Sequence, residues 1–141
     1  MRKKRIIIVD DEPTILDTFN KILINMGFEV IIYNIPEICP IHTENAESCP
    51  NSYPCADIIL TDYNLPRLNG LDLFELQSQK GCKIDMRNKA IMSGYPHIRH
   101  LDKMQELGCS FLGKPFSMTA LNEWLDGRDK YIDLSIPLGA L

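Results

Sequence analysis

The sequence predicts an α/β fold in which a parallel sheet is covered by helices on both faces, and three observations predict it. Short unbroken apolar runs recur at 5–9 (RIIIV), 28–33 (FEVIIY), 57–60 (DIIL), 89–92 (KAIM) and, more weakly, 110–113 (SFLG). Segments with apolar residues at helical spacing stand between most of them. Two of the runs stop at bare carboxylates, Asp10 and Asp11 after the first and Asp62 after the third. Strands without polar alternation are buried on both faces, which is the condition of strands in a parallel sheet.

The elements follow in order. After the first run, Ile15, Phe19, Ile22, Leu23 and Met26 mark a helix that Pro13 opens and Gly27 closes. Further helices are expected over roughly 70–80, ending before Gly81, over 97–107, ending before Gly108, and over 118–126 behind a Ser117 cap. Trp124, three residues after Leu121, is a packing residue of the last helix. Where a second helix belongs, residues 34–56 read NIPEICPIHTENAESCPNSYPCA. Four prolines and three cysteines there leave room for at most a short helix. The chain contains no internal repeat.

Composition limits the function. A chain of 141 residues with 45% hydrophobic and 24% charged composition fits one globular domain. A net charge of −4 lacks the basic excess needed to neutralise phosphates, so nucleic acid is not expected as a direct partner. No stretch approaches the ~20 apolar residues of a membrane span. The basic start MRKKR is followed by too few apolar residues for a signal peptide, so the cytoplasm is the expected compartment. Five cysteines, an odd number, read as free thiols or metal ligands before a disulfide framework.

In an open parallel sheet, ligands sit beyond the carboxyl ends of the strands, where neighbouring connections diverge. If the first and third strands are neighbours, Asp10, Asp11 and Asp62 converge in one pocket. Crowded carboxylates repel one another unless a cation holds them ionised. Hard oxygen donors that leave positions open for water and phosphate suit Mg²⁺.

Four segments carry a family resemblance. VDDEP (9–13), LTDYNLPRLNG (60–70), IMSG (91–94) and FLGKPF (111–116) stand in order at strand ends, with a proline four residues and a glycine eight residues beyond Asp62. Over residues 4–126 the chain resembles the receiver domain of two-component response regulators. The resemblance implies a flavodoxin-like (βα)5 fold, doubly wound, with a five-stranded sheet in the order 2-1-3-4-5. It also implies the site. Asp62 is the phosphoacceptor nucleophile, and Asp11 and Asp62 ligate Mg²⁺ directly. Asp10 acts mostly through a bound water, and the backbone carbonyl of Asn64 adds a further oxygen. Lys114 supplies a positive point charge, Ser93 donates its hydroxyl to a phosphoryl oxygen, and Phe111 is the aromatic that turns inward when that hydroxyl moves. Lys114–Pro115 is expected to be cis, because the lysine must point into the pocket while the chain turns away, and the resemblance implies the same. Such a domain is a signalling phosphoprotein, with self-phosphorylation and autodephosphorylation as its only chemistry.

Each residue also has a plainer reading. Asp11 or Glu12 with Pro13 caps a helix unaided, Ser93 suits a turn, Lys114 suits a solvated surface, and Phe111 suits plain core. Two other functions share the fold or the chemistry. A haloacid-dehalogenase-like phosphatase uses a strand-end aspartate within Asp-x-Asp, whereas Asn64 stands here and the acidic pair lies upstream. A flavodoxin-like cofactor binder needs a hydroxyl- and glycine-rich loop after the first strand, and DDEP repels a phosphate.

The cysteines are the feature least like the family. Cys39, His42, Cys49 and Cys55 follow C-x2-H-x6-C-x5-C, which is no strong zinc pattern. Cys55 precedes the third strand and Cys82 the fourth, so Cys49, Cys55 and Cys82 converge if those strands are adjacent. The open alternatives are free thiols packed under an irregular loop or an added metal or redox site built from Cys39, Cys49, Cys55 and Cys82. Cys109 is expected in the core.

The expected domain spans 1–127, with a short tail at 128–141 that suits either a stand-alone receiver or part of a longer chain. The phosphodonor is expected to be a sensor histidine kinase or a histidine phosphotransfer protein. A downstream protein is expected on the helix at 97–107, the fifth strand and the helix at 118–126, which are helix 4, strand 5 and helix 5 of the family. Arg99, Lys103 and Asn122 are candidate contacts there. A phosphorelay intermediate is the alternative output.

Overall fold

The computed structural model describes residues 1–42, 47–94 and 98–141, the side chains of residues 98 and 99 excepted. Its strands are β1 (Arg5–Val9), β2 (Glu29–Tyr33), β3 (Ile58–Asp62), β4 (Lys89–Ser93) and β5 (Ser110–Gly113). All pair in parallel, in the order β2-β1-β3-β4-β5. The helices are α1 (Pro13–Asn25), α2 (Gly70–Gln79), α3 (Ile98–Leu107) and α4 (Met118–Arg128). This is the flavodoxin-like sheet that the sequence predicts.

Strand periodicity divides the core. Ile6 and Ile8 of β1 face one side, with Leu16, Phe19 and Leu23 of α1 and Leu121 and Leu125 of α4. Ile7 and Val9 face the other, with Leu73 and Phe74 of α2 and Met104 of α3. Each fully buried isoleucine contributes about 1.5–3 kcal/mol relative to exposure, which explains why the buried part of β1, residues 6–9, carries no polar side chain. Cys109 lies in the second cluster and Trp124 against the first, as expected.

Helix ends obey local chemistry. Gly27, Gly81 and Gly108, the three stop signals, adopt φ of 93°, 72° and 90°, the left-handed region where a side chain is strained. Ser117 accepts the Ala120 amide at 3.0 Å and caps α4. At α1 the plain capping reading fails. Glu12 occupies the cap position without a side-chain bond, and its own amide donates to Asp10 Oδ1 at 3.0 Å.

Between β2 and β3 the described residues form one 3₁₀ turn, Pro40–His42, and no α-helix. The loop is held from outside: the Cys49 amide donates to the Lys80 carbonyl at 2.7 Å, and Glu37 pairs with Arg67 through two bonds of 2.6 and 2.7 Å. The tail also packs on the domain. After a 3₁₀ turn at Asp129–Tyr131, Arg2 Nε donates to the Ile136 carbonyl at 2.8 Å and the Gly139 amide to the Pro54 carbonyl at 2.8 Å. Among the described residues no helix is long and apolar enough to cross a membrane.

Candidate functional site

The loops after β1, β3, β4 and β5 meet at the carboxyl edge of the sheet. Asp10 follows β1, while Asp62 and Ser93 are the last residues of β3 and β4, one step further into the sheet than the sequence suggested. Asp10 is fully buried, Asp62 and Ser93 are nearly so, and Asp11 is exposed. Asp10, Asp11 and Asp62 each present an oxygen, and these oxygens lie within 4.8 Å of one another.

Lys114 enters this group from the β5–α4 loop. Its Nζ donates to Asp62 Oδ1 at 3.1 Å and to Asp10 Oδ2 at 3.4 Å. Its amide donates to the Ser93 carbonyl at 2.9 Å, and the Lys114–Pro115 peptide is cis as expected. Burial pushes the Asp62 carboxyl up, Lys114 pulls it down, and Asp10 and Asp11 push it up again, leaving it above the ordinary carboxylate value. Burial pulls the Lys114 ammonium down, but attraction to Asp10 and Asp62 more than offsets this and leaves it raised.

Asp57 at the opposite edge offers a contrast. Its buried carboxylate is satisfied by a two-pronged Arg2 guanidinium at 2.7 and 2.8 Å and by the Arg5 amide at 2.8 Å. Among the described residues, Asp10, Asp11 and Asp62 share one ion-paired cation, Lys114. A structural carboxylate is neutralised by its fold; this group retains excess negative charge. Three oxygen donors in that charge state fit a hard divalent cation.

The backbone around Asp62 explains several motif positions. The Gly70 amide donates to the Tyr63 carbonyl at 2.9 Å, and a Cβ at position 70 would lie 2.6 Å from the Asp62 carbonyl oxygen. Glycine is required by that approach. Asn69 caps α2 by accepting the Asp72 amide at 2.8 Å. Asn64 stands exposed in the same loop, two residues beyond Asp62. Phe111 is half-buried against the α2–α3 side of the sheet, its ring 3.5 Å from where a Cβ on Gly113 would stand.

Sequence reasoning missed two neighbours. The Tyr63 hydroxyl lies 3.1 Å from His100 Nε2, the rings are 4.8 Å apart, and Asn69 Nδ2 reaches the same hydroxyl at 3.4 Å. This contact links the residue after Asp62 to α3. A histidine on a helix has no local signal that could pair it with a tyrosine 37 positions earlier.

On the expected output face, α3, β5 and α4, Asn122 is exposed and the Arg99 side chain lies outside the described residues. Lys103 keeps a partly exposed side chain and pairs with Glu75 of the neighbouring α2 at 3.0 Å. Beside Lys114, Ile15, Phe19, Ile22, Phe116 and Met118 line an apolar groove of about 500 Å³ between α1 and α4.

At the amino edge, Cys39, Cys49, Cys55 and Cys82 line one small cavity, and all five cysteines are free thiols. Burial raises the Cys39 thiol and pushes Cys55 up to about 11. Among the described residues, the aspartates form the one group with three candidate donor atoms within 4.8 Å.

The parallel five-stranded sheet with its acidic carboxyl edge is the architecture of a receiver domain. The response regulator receiver domain model matches residues 6–126, and the chain belongs to that family. It is 26% identical to two-component response regulator ARR11 of Arabidopsis thaliana over 83% of this chain and 21% of that protein. It is 25% identical to two-component response regulator ORR26 of Oryza sativa subsp. japonica over 94% of this chain and 24% of that protein. The chain thus spans about a fifth to a quarter of these curated relatives. Among solved structures, a CheY-like response regulator receiver domain protein from Methanospirillum hungatei superposes with a TM-score of 0.68 at 26% identity, covering 93% of this chain and 100% of that one.

Proposed function

We propose that Asp62 accepts a phosphoryl group from a phosphorylated histidine of a sensor kinase or phosphotransfer protein, and that the modified domain signals to a protein partner. The observation that carries this reading is the Lys114 ammonium bridging Asp62 and Asp10 inside a cluster of three carboxylates. In the reaction a carboxylate oxygen of Asp62 forms a bond to phosphorus as the phosphorus–nitrogen bond breaks, and the electron pair leaves with the imidazole nitrogen. Mg²⁺ held by Asp10, Asp11, Asp62 and the Asn64 carbonyl would neutralise charge between the attacking carboxylate and the phosphoryl oxygens.

The chain's own residues do the rest. Lys114 already touches Asp62, so it needs little movement to pair with a new phosphoryl oxygen. Ser93 donates its hydroxyl to another, and Phe111 fills the space that this shift opens. The apolar groove that Lys114 borders is the surface on which the phosphodonor docks in this reading. The altered α3–β5–α4 face carries the output, with Asn122 exposed on it.

Incubation with a small acyl phosphate and Mg²⁺, followed by intact mass, tests the reading. Uptake of one phosphoryl group by the natural protein and none by Asp62→Asn is expected; equal uptake by both would overturn it.

A further inference from the structure

Lys89 opens β4 and is fully buried. Its Nζ donates to Gln77 Oε1 at 2.7 Å and to Cys82 Sγ at 3.3 Å, and it lies 5.5 Å from the centre of the Phe74 ring. Among the described residues no carboxylate forms an ion pair with it. A buried ammonium without an anionic partner is costly. Of its two bonded neighbours only Cys82 can take up a negative charge. The fold thus holds a lysine nitrogen and a cysteine sulfur in direct contact at the amino edge of the sheet.

Cys82 differs from the other thiols around it. Cys39 accepts from an uncharged amide, Gln77 Nε2 at 3.3 Å, and Cys109 donates to the Met104 carbonyl at 3.7 Å. Burial raises the Cys39 thiol and pushes Cys55 and Cys109 up to about 11. Cys82 is only half-buried and has an ammonium at its sulfur, the surroundings in which thiolates react with oxidants. Cys39, Cys49, Cys55 and Cys82 line one cavity, but no three of their sulfurs lie within 4.8 Å of one another, so the lining does not fit a tetrahedral metal ion.

We propose that Cys82 and Lys89 form a covalent sulfenamide crosslink when the chain meets hydrogen peroxide. The Cys82 thiolate attacks one peroxide oxygen, the oxygen–oxygen bond breaks, and the sulfur is oxidised to a sulfenic acid. The hydroxide released takes a proton from the Lys89 ammonium and becomes water. The neutral amine then bonds to the sulfur as the sulfur–oxygen bond breaks, and the departing hydroxyl leaves with an amine proton as a second water. One peroxide is reduced to two waters, and the thiol and amine together lose two hydrogens. A second thiol is not needed, because the amine already touches the sulfur it must attack. The bond ties the segment after α2 to the first residue of β4 and replaces a buried ammonium by an uncharged nitrogen. The oxidised chain is therefore expected to unfold at a higher temperature than the reduced one.

The reduced full chain is treated with hydrogen peroxide, weighed intact, and digested with trypsin without reduction. Loss of two hydrogens is expected, with four thiols instead of five titrating after unfolding. The 81–83 peptide should appear joined to the 88–99 peptide, whose Lys89 escapes cleavage, and excess dithiothreitol should release both. Cys39→Ser and Cys55→Ser keep the crosslink. Lys89→Met, which keeps bulk and removes the amine, abolishes it and leaves a Cys82 sulfenic acid that dimedone traps. If that variant fails to fold, the joined peptides of the natural chain still decide the pair. Loss of two thiols to a disulfide would overturn the proposal, as would five intact thiols, sulfinic acid at Cys82 with no crosslink, or the same loss of two hydrogens in Lys89→Met.

Discussion

Gly70 and Asp62 are locked by backbone: a Cβ on residue 70 would stand 2.6 Å from the Asp62 carbonyl oxygen and 2.9 Å from Thr61 Cγ2. Neither neighbour can move freely, because both belong to the central strand β3. Gly70→Ala is therefore expected to destabilise the fold by about 1–3 kcal/mol, the usual range for overpacking, and to slow phosphoryl uptake by shifting Asp62. Denaturant midpoints and uptake rates check it. A variant with unchanged stability and rate would show that the approach is dispensable.

The Lys114–Asp62–Asp10 group predicts opposite effects from its members. Without Mg²⁺, Asp62→Asn removes a crowded carboxylate and is expected to stabilise the protein. Lys114→Met leaves two buried carboxylates facing each other and is expected to cost about 1–3 kcal/mol. The double variant should fall well short of the Lys114→Met loss, a non-additivity that a double-mutant cycle measures. Additive effects would mean that the two side chains do not interact.

Asp62 also sets a pH dependence. Its carboxyl lies above the ordinary carboxylate value in the fold, so between those two values the native state binds more protons than the unfolded state. Stability then falls as pH rises through that window, and the penalty persists at neutral pH. The stability gap between Asp62→Asn and the natural protein, measured without Mg²⁺, should widen over the same window and then level off. A gap that narrows with rising pH would contradict the burial argument.

Much of this was legible in the sequence for local reasons. The unbroken IIIV run requires two covered faces, and Gly27, Gly81 and Gly108 all take the left-handed conformation expected of helix stops. Strand ends put Asp10, Asp11 and Asp62 at one edge of the sheet, and their convergence depends on β1 and β3 being neighbours, as they are. Other features depend on contacts distant along the chain. A lysine at a strand's first residue reads as solvated, and only the packing of Gln77 and Cys82 shows Lys89 to be buried. The pairing of Lys103 with Glu75 across α2 and α3 is another contact the local sequence does not signal. The tail's return to Pro54 and Arg2 has no local signal either.

Mg²⁺ should raise the thermal midpoint in proportion to its binding, because a ligand that binds only the native state stabilises it by mass action. Asp11→Asn is expected to abolish most of that rise while leaving the metal-free midpoint little changed, since Asp11 is exposed. Calorimetry with and without Mg²⁺ checks both. An undiminished rise in Asp11→Asn would remove Asp11 from the site.

The nucleophile itself can be identified chemically. Borohydride reduces an aspartyl phosphate to homoserine, so protein exposed to an acyl phosphate and Mg²⁺, then to borohydride, records the acceptor in its peptide masses. Homoserine at position 62, absent when Mg²⁺ is withheld, is the expected result. Homoserine at Asp10 or Asp11, or a phosphoprotein with no homoserine, would contradict the assignment of Asp62.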